Sequence, residues 1–212
     1  MNDPGPDTTL DPNANNAPAW NARYLADDMP WDKQAPCPGL VDWLAKQTEA
    51  PGELGRWLIP GCGLGHDVQA LASAGADALG IDLSPAAAEG ATALGRSVIV
   101  ADLFDLPAEW TGSFDGVWEH TCFCAIHPEQ RPAYVTAVHR VLKPGGTFLG
   151  IFFDPETDSP EGPPFKTRFD TVRAFFTAKF EPLPESDHAS DWVPRRQHRA
   201  ASERMLWLRS KR

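Results

Sequence analysis

Basic residues are scarce in this chain: Lys and Arg number 19 against 29 Asp and Glu, a formal net charge of −10 over 212 residues. That balance repels phosphate backbones and anionic membranes and argues against general nucleic-acid or membrane binding. Long apolar runs are missing too, and none approaches the roughly 20 residues of a membrane span. The first basic residue is Arg23, so the positively charged start of a secretory signal is lacking and the expectation is a soluble cytoplasmic protein. Cysteine is sparse: Cys37, Cys62, Cys122 and Cys124 are too few for a disulfide scaffold at this length, and no pair reads Cys-x-x-Cys. Free thiols in a reducing compartment fit that usage. There is no internal repeat and no second-domain linker.

What is present suits one domain with a sizeable core, at 42% hydrophobic and 23% charged residues. Met1 to Pro18 hold four prolines, three aspartates and one leucine, too little apolar surface to offset the entropy of ordering. A flexible tail over 1–18 and a single domain over 19–212 are therefore expected. Trp20, Tyr24 and Trp31 then arrive close together, and Cys37 to Thr48 carries apolar residues at helical spacing. From Arg56 onward short apolar runs alternate with helical patterns, the sign of crossover units and a mainly parallel sheet. Strands are expected at Trp57 to Ile59, Ala78 to Ile81, Ser97 to Ala101, Phe114 to Trp118, Thr147 to Phe153 and Arg204 to Leu208, with a short one at Phe180 to Leu183. Helices are expected at Asp67 to Ala74, Ser84 to Leu94, Pro128 to Leu142 and Thr167 to Lys179, Ser84-Pro85 forming a cap and first-turn pair. Lys143-Pro-Gly-Gly146 reads as a helix stop and turn. The last 18 residues hold seven basic residues against Glu203 alone, which reads as a solvated loop plus an edge strand rather than an RNA patch.

The first strand runs into Pro60-Gly61-Cys62-Gly63-Leu64-Gly65-His66-Asp67 and then a helix. Glycines at such a turn let the backbone approach a ligand, and the helix N-terminus favours negative charge there. The dinucleotide fingerprint needs its third glycine where His66 stands, which counts against a nicotinamide enzyme. Asp82 closes the second strand about 20 residues on, where a carboxylate can accept both hydroxyls of a ribose. Asp102 closes the third strand in the same way. Together they suggest a nucleoside bridging neighbouring strand ends, with Asp82 on the ribose and Asp102 with Leu103 near an adenine.

PGCGLGHD, GID and AD at these spacings resemble class I S-adenosylmethionine-dependent methyltransferases. FDGVWEHTCFCAIHPEQRPAYVTAVHRVLKPGG, FFDP and GPPF resemble more narrowly the thiopurine S-methyltransferase family, with its halide, thiocyanate and thiol methyltransferases. The resemblance covers roughly Ala19 to Phe176. It implies an α/β, Rossmann-like fold: a seven-stranded, mostly parallel sheet with an antiparallel last strand and helices on both faces. It implies S-adenosylmethionine as cofactor and S-adenosylhomocysteine as product. Trp20, Tyr24 and Trp31-Asp32 match the family's aromatic cover, Tyr24 standing where members often carry a second Trp; aromatic faces attract a desolvated sulfonium by up to ~2 kcal/mol. Glu119, His120 and the residues after them fall where the family meets the cofactor's methionine end and the acceptor. His120 takes the place of a Tyr or Arg, and cofactor binding, acceptor orientation and proton acceptance are all open to it. Gly162-Pro163-Pro164-Phe165 resembles the lid over the acceptor, with Phe165 in place of a Tyr in plant halide and thiol enzymes.

His120, Cys122, Cys124 and His127 offer four donors but match no usual zinc spacing, and no metal is expected. Methyl transfer from a sulfonium to an anion cancels charge, so a dry apolar pocket favours it without a strong base. The expected activity is methylation of a small soft nucleophile, a thiol or thiolate, by a monomer that uses His120 and Phe165 at the acceptor. A halide or thiocyanate methyltransferase is the alternative on the same fold. A non-catalytic cofactor binder is the rival of another class, and an RNA-modifying enzyme is disfavoured by the −16 carried by the rest of the chain.

Overall fold

The computed structural model describes residues 16–47, 53–155, 162–183 and 201–211. Of the expected tail, residues 1–15 lie outside the described residues, as do 195–200 and 212 of the basic C-terminal stretch. The strands are β1 (Arg56–Pro60), β2 (Asp77–Asp82), β3 (Val98–Val100), β4 (Phe114–His120), β5 (Leu142–Pro155), β6 (Phe180–Pro182) and β7 (Ala201–Ser210). They form one sheet in the order β3-β2-β1-β4-β5-β7-β6. β1 to β5 run parallel, and β7 is antiparallel to both β5 and β6.

Strand periodicity divides the apolar residues between two cores. Leu58, Val117, Phe148, Phe152, Leu206 and Leu208 enter one, against α5 (Arg131–Val141) and α6 (Phe169–Phe176). Their strand neighbours Trp57, Ile59, Trp118, Leu149 and Ile151 enter the other, against α2 (Pro38–Gln47), α3 (His66–Ser73) and α4 (Pro85–Ala93). Successive residues of a strand point to opposite faces, so each strand feeds both layers. Helices thus cover both faces, as a buried parallel sheet requires. Each fully buried large side chain, such as Trp118 or Phe148, contributes about 1.5–3 kcal/mol.

Two elements differ from expectation. The segment after α5 does stop the helix, but Lys143 to Gly146 is drawn into β5 instead of making a free turn. The pairing there jumps from Phe114 opposite Leu142 to Gly116 opposite Thr147, with Gly145 at φ 79°. α6 is shorter than the apolar pattern suggests because Thr167 is buried and its hydroxyl donates to the Phe153 carbonyl, tying that residue to β5. No described helix is long and apolar enough to cross a membrane.

Candidate active site

The strand order reverses between β1 and β4, and at such a point the loops leave the carboxyl ends in opposite directions and open a crevice. A cavity of about 360 Å³ lies there. Gly61, Asp82, Asp102, Leu103, Thr121 and Cys122, from the ends of β1 to β4, form its floor. The glycine loop bends through positive φ at Gly61 (56°), Gly63 (53°) and Gly65 (72°). A Cβ on Gly61 would sit 2.8 Å from Cys122 Sγ, and one on Gly63 would sit 2.7 Å from the Tyr24 hydroxyl oxygen. Both close approach and backbone angle demand glycine at these positions.

Asp82 is buried, its Oδ2 accepting from Gly63 N–H (2.9 Å) and its Oδ1 from Ser84 N–H (2.9 Å). Burial pushes its carboxyl up against the pull of those donors. Each oxygen keeps a further lone pair for a ligand hydroxyl. Asp102 Oδ1 caps the short 3-10 turn Leu103–Asp105 through Phe104 N–H (2.8 Å), and its side chain lines the cavity beside buried Leu103.

Over this floor lies α1 (Ala17–Leu25), capped by Asn16, which accepts from Ala19 N–H at 3.0 Å. Trp20 and Tyr24 are one turn apart and share a face. Trp31 stands edge-on to both, with ring centroids 5.4 and 5.9 Å away. The Arg23 guanidinium lies 4.4 Å from the Trp31 centroid and pairs with Asp28 at 3.0 Å. Two polar ties hold this cover down. Asn21 Oδ1 accepts from the Ser84 hydroxyl and Ala86 N–H (both 2.9 Å) at the start of α4, and His66 Nε2 lies 3.1 Å from Asp32 Oδ1. Burial, with the facing Asp82 carboxylate, pushes the Tyr24 phenol up, so it remains a hydroxyl.

The far end of the cavity is walled by Cys122, Cys124, Ala125, Ile126, Pro163 and Pro164. Burial, reinforced by the Glu119 carboxylate, pushes the Cys122 thiol well up and that of Cys124 to about 12. Neither wall thiol is ionised near neutral pH. Thr121, at φ 66°, is a β-branched residue in the left-handed region, the kind of local strain that collects at functional sites. No group of three metal-ligating side chains is found among the described residues.

The sequence model of the Thiopurine S-methyltransferase (TPMT) family matches residues 15–210. The chain belongs to that family. It is 34% identical over 179 residues to thiocyanate methyltransferase 1 of Arabidopsis thaliana, covering 80% of this chain and 77% of the relative. It is 27% identical over 210 residues to the thiopurine S-methyltransferase of Nitrosospira multiformis, covering 86% and 91%. Among solved structures, the 1,6-didemethyltoxoflavin-N1-methyltransferase of Burkholderia thailandensis, with bound S-adenosylhomocysteine, has the same fold: TM-score 0.70, 20% identity, covering 92% of this chain and 87% of that one. The protein is thus an S-adenosylmethionine-dependent methyltransferase. The residues present fit that cofactor: a glycine cradle that any Cβ would obstruct, a buried acid with free lone pairs for hydroxyls, and aromatic faces for a cation.

Three family-derived positions are arranged otherwise than the motifs suggest. Glu119 lines neither the main cavity nor the smaller chamber that adjoins it. It points into the α5 side of the sheet, where its carboxylate accepts from Phe123 N–H (2.8 Å) and the Tyr134 hydroxyl, and burial pushes it up to about 7. Phe165 donates its N–H to the Cys124 carbonyl (2.7 Å), but its ring stacks edge-on to His127 at 5.4 Å, and the prolines before it face the cavity instead. His120 lies away from the acceptor wall, in an adjoining chamber of about 70 Å³ beside Gly61, Cys62 and Gly63. Its Nδ1 is 3.1 Å from Asp67 Oδ2; burial alone would favour the neutral ring, but hydrogen bonds to the Asp67 and Cys37 side chains, with their charges, outweigh it and push His120 up to about 10. An imidazole held charged is no proton acceptor. Sequence reasoning missed Asn21, Asp67 and Glu203, which enters the cavity from β7. The only signal for Asp67 was its place one residue after His66, which a helix N-terminus explains equally well.

Proposed function

We propose that this enzyme methylates a small soft nucleophile, a thiol or thiolate, acting as a cytoplasmic monomer. The observation that carries the reading is the acceptor wall: apolar side chains and two un-ionised thiols, with Glu203 from β7 the acid beside Cys124 and no histidine lining the space. Such a wall suits an acceptor that arrives as an anion or ionises readily, as a thiol with a reference pKa near ~8.5 does. When bound, S-adenosylmethionine supplies a methyl group activated by a sulfonium. An acceptor that has already lost its proton to solvent and arrives as a thiolate would take that methyl as a new S–C bond, the sulfonium's S–CH3 bond breaking to leave S-adenosylhomocysteine.

In this reading the chain binds, orients and excludes water. Asp82 accepts from the ribose hydroxyls, while Asp102 and Leu103 hold the adenine. Gly61 and Gly63 let the backbone approach, Trp20, Tyr24 and Trp31 close over the sulfonium, and His120 serves the methionine end. Positioning in a dry site supplies most of the rate. Thiocyanate or halide methylation is the second reading, favoured by the identity to the plant thiocyanate methyltransferases, which reaches 38% over 158 residues in Brassica oleracea. The test incubates enzyme and S-adenosylmethionine with hydrosulfide, methanethiol, an aromatic thiol, thiocyanate, iodide and bromide together, counting products by mass spectrometry. Predominant thioether is expected; predominant methyl thiocyanate or methyl halide would replace the thiol reading with the second.

A further inference from the structure

Five charged side chains line the main cavity: Arg23, Lys33, Asp82, Asp102 and Glu203. The three acids stand on the floor and beside Cys124, whereas both cations belong to the aromatic cover, where the bound cofactor would itself bring a cation. Lys33 donates to the Pro30 carbonyl. Arg23 follows Trp20 by almost one turn of α1, and its guanidinium carbon lies 4.4 Å from the Trp31 centroid and 5.9 Å from that of Trp20. Its Nε donates to Asp28 Oδ2 at 3.0 Å, which fixes the guanidinium plane, and its two Nη groups donate to nothing among the described residues. Asp28 is 60% exposed and screened by water, so it does not cancel the charge that Arg23 presents to the cavity. A sulfonium beneath the same aromatic faces meets a like charge, and that repulsion is relieved when an anion comes between the two. The group that must approach the sulfonium's methyl is the acceptor.

We propose that Arg23 determines acceptor specificity by binding a carboxylate on the acceptor, so that the substrate class is a mercapto acid: a thiol carrying a carboxylate a few bonds from its sulfur. This rests on the reading of the cavity as a thiol-methylating site. With Nε committed to Asp28, the guanidinium offers the edge formed by its two Nη groups, whose parallel N–H donors match the two oxygens of a carboxylate. A halide or a lone thiolate has no second oxygen to fill that fork. Stacking on Trp31 holds the fork in place before the ligand arrives, so little side-chain freedom is lost on binding. Lys33 adds charge of the same sign to the cover, and Glu203, beside Cys124 at the acceptor wall, repels a carboxylate from that end. The two ends of the cavity thus orient such an acceptor in one sense, its carboxylate toward the cover.

The experiment measures kcat/KM with S-adenosylmethionine for 3-mercaptopropionate, 2-mercaptoethanol and cysteamine, thiols of similar length whose far ends are anionic, neutral and cationic. It compares wild type, Arg23→Gln and Arg23→Glu. In Arg23→Gln the ratio of 3-mercaptopropionate to 2-mercaptoethanol is expected to fall about 10- to 100-fold, carried by KM rather than kcat. In Arg23→Glu the preference is expected to pass to cysteamine. Because the readout is a ratio, any loss from a disturbed cover or weaker cofactor binding cancels. A ratio in Arg23→Gln within about twofold of wild type, with all three thiols losing equally, would reduce Arg23 to a support for Trp31 and overturn the proposal. If wild type methylates none of the three thiols, the thiol reading falls and this proposal with it, a result distinct from methylation whose ratio ignores Arg23. Should the variants not fold, wild type decides through inhibition of 2-mercaptoethanol methylation: stronger inhibition by propionate than by 1-propanol supports the assignment, and equal inhibition overturns it.

Discussion

Glu119 and Asp82 are both buried strand-end acids, and their surroundings give them opposite tasks. Glu119 is held up to about 7 by burial although Phe123 N–H and the Tyr134 hydroxyl both reach it. An acid raised in the folded state binds its proton there more tightly than in the unfolded chain. Folding stability therefore falls as pH climbs from about 4.5 to about 7, by roughly 3 kcal/mol in all. Glu119→Gln is expected to flatten that slope and to be the more stable protein at about pH 8, as urea denaturation at about pH 5 and 8 would reveal. His120, raised as well, has the same sign in a higher window: its stabilisation is complete below about 6.5 and is lost as pH rises through about 10. Asp82→Ala is expected to abolish cofactor binding and also to cost about 2 kcal/mol of stability, because Gly63 and Ser84 N–H lose their acceptor. Calorimetry and thermal unfolding would separate the two losses. Asp82 could be singled out only through its pairing with the glycine loop about 20 residues before it, since a strand-end acid alone is more often a cap or loop residue. Asp67 could not be, since an acid in a helix's first turn looks like any capping charge.

At the scale of elements, periodicity located every strand, and the misses came where a side chain overruled the local pattern, as Thr167 does at the start of α6. The lid shows a different limit. GPPF was found at the right place in the chain, but a motif's position does not say which way its aromatic ring turns. Because Phe165 packs on His127, Phe165→Tyr is now expected to leave the ratio of thioether to methyl thiocyanate within about twofold, in a two-acceptor competition. The aromatic cover depends on polar ties more than on its own helix propensity, since α1 has only nine residues. Asn21→Ala removes the acceptor for Ser84 and Ala86 and is expected to weaken cofactor affinity several-fold while lowering stability by only about 1 kcal/mol.

For the whole molecule, the fold was legible because alternating strands and crossover helices leave few topologies, whereas the site was legible only as far as motifs fix positions along the chain. Side-chain direction at Glu119, His120 and Phe165 is set by packing that no single segment encodes. Binding should stabilise the molecule as a unit: S-adenosylhomocysteine at about 100 times its dissociation constant is expected to add about 2.7 kcal/mol, read as a rise in Tm of roughly 5–10 °C.

Cys62, Cys122 and Cys124 surround the space meant for an alkylating agent, and each is a sulfur nucleophile of the same kind as the acceptor proposed here. Only a thiolate attacks efficiently. With Cys124 at about 12, about one molecule in 10⁵ presents that thiolate at pH 7, and Cys62 and Cys122 are likewise held well up. The protein can line its reaction chamber with sulfur and still escape methylating itself, so the burial that shapes the wall also protects the enzyme from suicide.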